Sequence, residues 1–229
     1  MEPSTRDLVE YLSGFVTENR FSLFKQILDD RTRHITVVLE DIYQSQNASA
    51  VLRTCECLGI QDLHIVEQRN TYEVNPDVSL GSDQWLSLHY YNQNRNNILE
   101  AVNALKKSNY RIVATSPHSE GNTPENLDLE KGKVALMFGT ELNGLTDEAR
   151  SLADEFVKIP MMGFTESYNI SVSAAVILYI LRRRLEKSEL NWKLPEVEKQ
   201  ELLLQWLRSS IKMAKQIESQ FRKDYRPTF

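Results

Sequence analysis

Arg53 follows Asn47 by six residues in the run Asn47-Ala48-Ser49-Ala50-Val51-Leu52-Arg53-Thr54, so both belong near the start of one short helix. A guanidinium is planar and always charged, and it suits phosphate. Alone on a helix, such an arginine is usually a surface or ion-pair residue. Asn47 reads equally well as a helix N-cap and as a polar site residue. A second group follows the apolar run ending at Phe138, where Gly139 and Gly144 bracket Thr140-Glu141-Leu142-Asn143. Glycine at a strand end either lets a ligand approach the backbone or closes a tight turn. The third group runs from Ile159-Pro160-Met161-Met162-Gly163 to Ser167-Tyr168-Asn169. Ser167 alone reads as a helix cap; with Asn169 and the preceding loop it reads as half of a polar pair in a site. Each group falls where a strand ends or a helix begins, which is where α/β proteins bind ligands.

The elements that must position these groups are legible as patterns. Ile35-Thr36-Val37-Val38-Leu39 is a buried, β-branched strand. Strand signals recur at 63–67, 85–90, 111–116, 133–138 and 156–160. Between them lie helical segments at 47–58, ended by Gly59, at 95–108, and at 146–153. Thr146 is a good N-cap there, with Asp147 and Glu148 favourably placed in the first turn. This alternation predicts a mostly parallel sheet flanked by helices on both faces. No G-x-G-x-x-G follows the first strand, so the dinucleotide fingerprint is absent.

Helical extensions flank this core. Residues 7–30 read as helix in two pieces, and 169–187 as one long helix ending in Arg182-Arg183-Arg184. A last helix from about Glu196 to Phe221 carries Leu203, Leu207, Ser210, Ala214, Ile217 and Phe221 at alternating spacings of four and three, a coiled-coil-like stripe widened by Trp206 and Met213. The stripe must pack on its own domain or on a partner subunit. The resulting division is an N-terminal extension over 1–33, an α/β domain over 34–187 and a C-terminal extension over 188–229.

The 229 residues carry a net charge of −5, which argues against a generally basic nucleic-acid binder. The distribution is uneven: Arg182 to Phe229 holds 12 Lys and Arg against 7 Asp and Glu, leaving 15 basic and 25 acidic residues in the rest. A basic tail on an acidic body can bind phosphate locally. No apolar run approaches the ~20 residues of a membrane helix, and the polar start predicts a cytoplasmic protein without a signal peptide. Cys55 and Cys57 are too close to bridge without strain and read as a reduced, buried pair. The four histidines lack metal-ligand spacing, so no metal is expected.

In order and spacing, the three groups resemble the three motifs of the SpoU/TrmH branch of the SPOUT RNA methyltransferases. The resemblance implies a deep trefoil knot, a homodimer with its site at the subunit interface, and methyl transfer from S-adenosylmethionine to a ribose 2′-hydroxyl. It assigns catalysis to Arg53, Asn47, Glu141, Ser167 and Asn169. Arg53 is described in the family as a base for the hydroxyl; an electrostatic role is the alternative. The resemblance places the cofactor on Thr115, Phe138, Gly139, Glu141, Gly144, Ile159, Met161, Met162, Ser167 and Asn169. Position 168 is Tyr where many relatives carry Leu. Short helical extensions favour tRNA as the substrate, at guanosine 18 of the D-loop; another tRNA position or rRNA is the alternative. A non-catalytic knotted RNA-binding protein would be expected to have lost the motif residues, and none is lost here. For RNA contact the candidates are Arg182, Arg183, Arg184, Arg208, Lys212, Lys215 and Arg20, with Arg208, Lys212 and Lys215 spaced as one helical face.

Overall fold

The computed structural model describes residues 2–117, 120–140 and 142–225, so His118 and Glu141 lie outside the described residues. The chain forms two compact units, Thr32–Trp192 and a second made of Met1–Arg31 with Lys193–Phe229.

The chain opens with α1 (Thr5–Ser13) and α2 (Glu18–Leu28), the interruption expected within 7–30. Ser4 and Asp7 cap α1 reciprocally, and Thr17 caps α2.

The larger unit then runs β1 (Ile35–Glu40), α3 (Ser45–Cys57), β2 (Asp62–Val66), the single turn α4 (Pro76–Ser79), β3 (Ser87–Tyr91), α5 (Asn97–Lys107), β4 (Tyr110–Thr115), β5 (Lys133–Phe138), α6 (Asp147–Leu152), β6 (Glu155–Val157) and α7 (Ile170–Glu186). Among the described residues these strands form one sheet, order β3-β2-β1-β5-β4-β6, with every pairing parallel. Strand periodicity divides the core. Ile35, Val37 and Leu39 of β1, with Val134, Leu136 and Phe138 of β5, join α3 and α7 on one face. Val38, Ala135 and Met137 join α5 and Ala149 of α6 on the other. Gly59 ends α3 with φ of 70°, the left-handed conformation that favours glycine.

β6 is gripped from both sides. Val113 to Thr115 of β4 pair with Glu155 to Val157. On the opposite edge Asn122 N–H donates to the Phe156 carbonyl at 2.9 Å, and Lys158 N–H donates to the Asn122 carbonyl at 2.9 Å. A Cβ on Gly121 would lie 2.5 Å from the Phe156 carbonyl oxygen, so only glycine fits this edge.

The smaller unit is completed by α8 (Glu196–Ser210) and α9 (Ala214–Asp224). These correct the single helix expected to Phe221: Ile211 is extended and Met213 is left-handed, φ 64°, so the chain turns and α9 folds back on α8 and α1. The apolar stripe is thereby used within the unit. Leu203, Trp206 and Leu207 are buried, Phe24 packs on Trp206, and Phe221 stacks on Tyr11 with ring centroids 4.1 Å apart. Cys55 is buried, whereas Cys57, two residues on and so on the opposite side of α3, is exposed, correcting the buried pair.

One cluster at the sheet edge sets a pH limit on stability. The rings of His64 and His89 stack with centroids 4.6 Å apart, and His64 Nδ1 shares a 3.0 Å hydrogen bond with the Tyr91 hydroxyl. Asp62 accepts from Arg33 at 2.9 Å and faces His89 Nε2 at 3.4 Å. Burial, helped by the neighbouring His89 and opposed by Asp62, lowers the His64 pKa to about 4. The unfolded chain therefore takes up this proton first. The contribution of a neutral His64 is complete above the unfolded value near 6.5 and is lost as pH falls towards 4. At ~1.4 kcal/mol per pKa unit this amounts to at most about 3 kcal/mol. The urea midpoint of His64→Phe is expected to fall less between pH 6.5 and 4 than that of the parent; equal falls refute the assignment.

Candidate active site

The first motif sits on α3, directly beyond the carboxyl end of β1. Its foundation is two acids that the sequence reading did not single out. Asp41, left-handed at φ 54°, accepts the backbone N–H groups of Gln68, Arg69 and Asn70 at 3.1, 2.7 and 2.8 Å. Glu40 accepts the Thr146 N–H at 2.9 Å and its hydroxyl at 2.6 Å, joining the end of β1 to the cap of α6. Burial raises the Glu40 pKa, against the pull of the Thr146 hydrogen bonds. An acid at the end of an apolar strand is the signal that marks Glu40. Ser49 holds α3 to the following loop, sharing a 2.9 Å hydrogen bond with Tyr72 and accepting Asn75 N–H at 2.9 Å.

Asn47 is not the N-cap; that position is Gln44. Asn47 lies in the first turn, and its Oδ1 accepts from Asn169 Nδ2 at 3.2 Å. Asn169, rather than Ser167, caps α7, its Oδ1 accepting the Ser171 N–H at 2.8 Å and hydroxyl at 2.6 Å. One side chain thus starts α7 and ties the third motif to the first.

The second and third motifs face each other across a cleft of about 280 Å³ at the carboxyl ends of β4, β5 and β6. Thr115, Phe138, Gly139, Gly144, Ile159, Met161, Ser167 and Asn169 all line it. Met162 does not: it is 93 % exposed and lies outside the lining. The glycines serve the turn. A Cβ on Gly139 would come within 2.2 Å of the Gly144 backbone, while Gly144 adopts φ 66° with open space around it. Paired N–H···O bonds of 3.0 and 2.9 Å between Thr140 and Gly144 close the loop. Thr115 spends its hydroxyl on the Met137 carbonyl at 2.8 Å, so it presents its backbone and methyl.

The walls suit S-adenosylmethionine. Ile159, Leu145 and Ile177 offer apolar surface for a purine, main chain at 139–140, 142–145, 159 and 161 offers polar partners, and Lys158 and Glu166 offer opposite charges for an amino-acid end.

Arg53 is not in this cleft. It is exposed, and among the described residues it has no hydrogen bond or ion pair. It lines a separate groove of about 650 Å³ with Ala50, Thr54, Cys57, Leu58, Val78, Ala175, Val176 and Tyr179. Val172, Ala175, Val176 and Tyr179 form an uncovered apolar stripe on α7, with Tyr179 57 % exposed.

Several basic candidates are committed elsewhere. Arg182 is buried, donates to the Leu58 carbonyl at 3.1 Å, pairs with Glu186 at 3.0 Å and lies 4.2 Å from the Trp192 ring centre; it cannot reach RNA. Arg184 donates to the carbonyls of Pro124 and Leu127, both at 2.7 Å. Arg183 is exposed but pairs with Glu186. Arg208 makes a two-pronged pair with Glu218, both bonds 2.7 Å, and the turn at 211–213 takes Lys212 and Lys215 off its helical face. Lys212 and Lys215 are exposed, and so is Arg20, which lies over Phe24.

Residues 34–179 match the model of the SpoU rRNA Methylase family. A tRNA (guanosine(18)-2′-O)-methyltransferase of Borreliella burgdorferi is 44 % identical over 219 residues, covering 96 % of this chain and 98 % of the relative. A protein of the same name from Thermus thermophilus is 33 % identical over 195 residues, 84 % of this chain and 97 % of its own. Among solved structures, the TrmH/SpoU tRNA modifying enzyme of A. aeolicus superposes with a TM-score of 0.74 at 28 % identity, covering 85 % of this chain and 98 % of that one.

Proposed function

Because this chain belongs to the SpoU rRNA methylase family, we propose that it methylates the ribose 2′-hydroxyl of guanosine 18 in tRNA. The observation that carries the reading is the cleft at the strand ends, its third-motif wall tied to the first motif by the Asn169–Asn47 hydrogen bond. S-adenosylmethionine supplies a methyl group on a sulfonium centre. The apolar wall of Ile159, Leu145 and Ile177 would hold its purine, and Lys158 would meet its carboxylate. Ser167 and Asn169 fix the edge at which the ribose arrives. Arg53 grips the adjoining phosphate and stabilises negative charge on the 2′-oxygen; it remains protonated, so the proton leaves to phosphate or water.

A homodimer explains why Arg53 and the cleft are separate in one chain. The uncovered stripe on α7 and the neighbouring α3 face pack on a second copy, and Arg53 of one protomer completes the cleft of its partner. The grip of the 121–122 segment on the outer edge of β6 supports a threaded path of the kind the family resemblance implies.

For tRNA, Arg20, Lys212 and Lys215, exposed cations of the terminal segments, supply phosphate contacts. Labelled S-adenosylmethionine with tRNA is expected to place one methyl on guanosine 18, and a methyl found elsewhere, or only on rRNA, refutes the assignment. In the same assay Lys212→Glu with Lys215→Glu is expected to weaken tRNA binding and reduce its salt slope by about 1 to 2. An unchanged slope removes both lysines from the RNA surface.

A further inference from the structure

Phe164 is fully exposed, at 109 % of the reference area. It projects from the loop between Met161 and Glu166, both of which line the cofactor cleft. Four residues on, Tyr168 is 48 % exposed and lines the cleft itself, and Leu142 on the facing loop is 91 % exposed. Scattered exposed apolar side chains are ordinary. Here Leu142 and Tyr168 line one opening, and Phe164 stands on the loop between two other lining residues, so the three are not scattered.

The chemistry of the substrate says what meets them. A 2′-hydroxyl is carried on the carbon next to the one that bears the base. When the oxygen is presented to the cleft, the base must therefore lie within a sugar's width, at the rim. A loop nucleotide that offers its ribose this way gives up stacking on its RNA neighbours. An aromatic face is the partner that replaces the lost stacking. Phe164 is free to turn, because no packing fixes it, and Tyr168 lines the cleft four residues on.

We propose that Phe164, backed by Tyr168, stacks on the base of the nucleotide undergoing methylation and so positions its ribose. This rests on the tRNA-methylating reading above. Phe164 acts through the base and is a positioning residue; the reacting atoms are left to the polar motifs.

The test compares Phe164→Ala, Phe164→Leu and Phe164→Trp. Phe164→Ala is expected to raise KM for tRNA between about fivefold and 150-fold, the range for one base stack, with S-adenosylhomocysteine affinity and sedimentation unchanged. Phe164→Trp is expected to restore KM and to add a fluorescence signal that tRNA quenches; Phe164→Leu is expected not to restore it. Full rescue by leucine shows a mere apolar cover and overturns the proposal. So does an unchanged KM in Phe164→Ala. Weakened self-association in Phe164→Ala assigns the residue to a subunit contact instead, and overturns it as well. A parent protein that transfers no methyl to tRNA overturns the underlying reading. In that case tRNA quenching of the Phe164→Trp signal still supports the stack, and a flat signal sinks it.

Discussion

Arg53→Ala is expected to lower single-turnover methyl transfer by about 10²–10³-fold at saturating tRNA, the size of effect seen when one donor to a developing oxyanion is removed. Stability and S-adenosylhomocysteine affinity should hardly change, since Arg53 is exposed, lacks a bonded partner among the described residues and lies outside the cofactor cleft. Arg53→Lys is expected to recover little, because an ammonium cannot engage phosphate with a planar fork. Near-normal turnover by Arg53→Ala would remove the residue from the mechanism.

Charging the α7 stripe is the second large effect. Val176→Glu with Tyr179→Glu is expected to give a folded monomer in sedimentation, its unfolding temperature lowered by the loss of the partner subunit. Activity should fall at least as far as for Arg53→Ala, since each cleft would lose its arginine. A fully active monomer would refute the shared site. Mixing provides a sharper readout. Arg53→Ala and Asn169→Ala proteins, each inactive, are expected to regain roughly a quarter of parental activity when reassorted, because half of randomly paired dimers carry one intact composite site out of two. If Arg53 served its own chain's cleft, no pairing would restore activity.

Much of the larger unit was legible because its signals are local. The β-branched run at 35–39, Gly59 after α3 and Thr146 before α6 each fix conformation within a few residues, and each stands where expected. Other features depend on distant partners. The heptad-like stripe of the last helix continues unbroken through the point where Met213 turns left-handed, so periodicity alone could not reveal the break. Three consecutive arginines look like a solvated patch, yet Trp192 and the Leu58 carbonyl draw Arg182 inward. Gly139 was open to two readings, and the contact with Gly144 decides for the turn. The three motifs gave the cleft its walls. They did not reveal that Arg53 opens on a different face from Asn169, although Asn47 on the same helix touches it.

The smaller unit joins the two ends of the chain, with α1 and α2 packed on α8 and α9. During synthesis the first two helices therefore emerge long before their packing surfaces exist. At ribosomal rates of about 5–20 residues per second, Leu8, Val9, Leu12, Phe24 and Leu28 wait on the order of ten to thirty seconds, while the α/β unit is made and α8 follows. Isolated helices of 9 and 11 residues are marginal in water, so this interval is spent largely unfolded. The stretch holding α1 and α2 is thus the one on which a holding chaperone would act, and this unit closes only after α8 has been made.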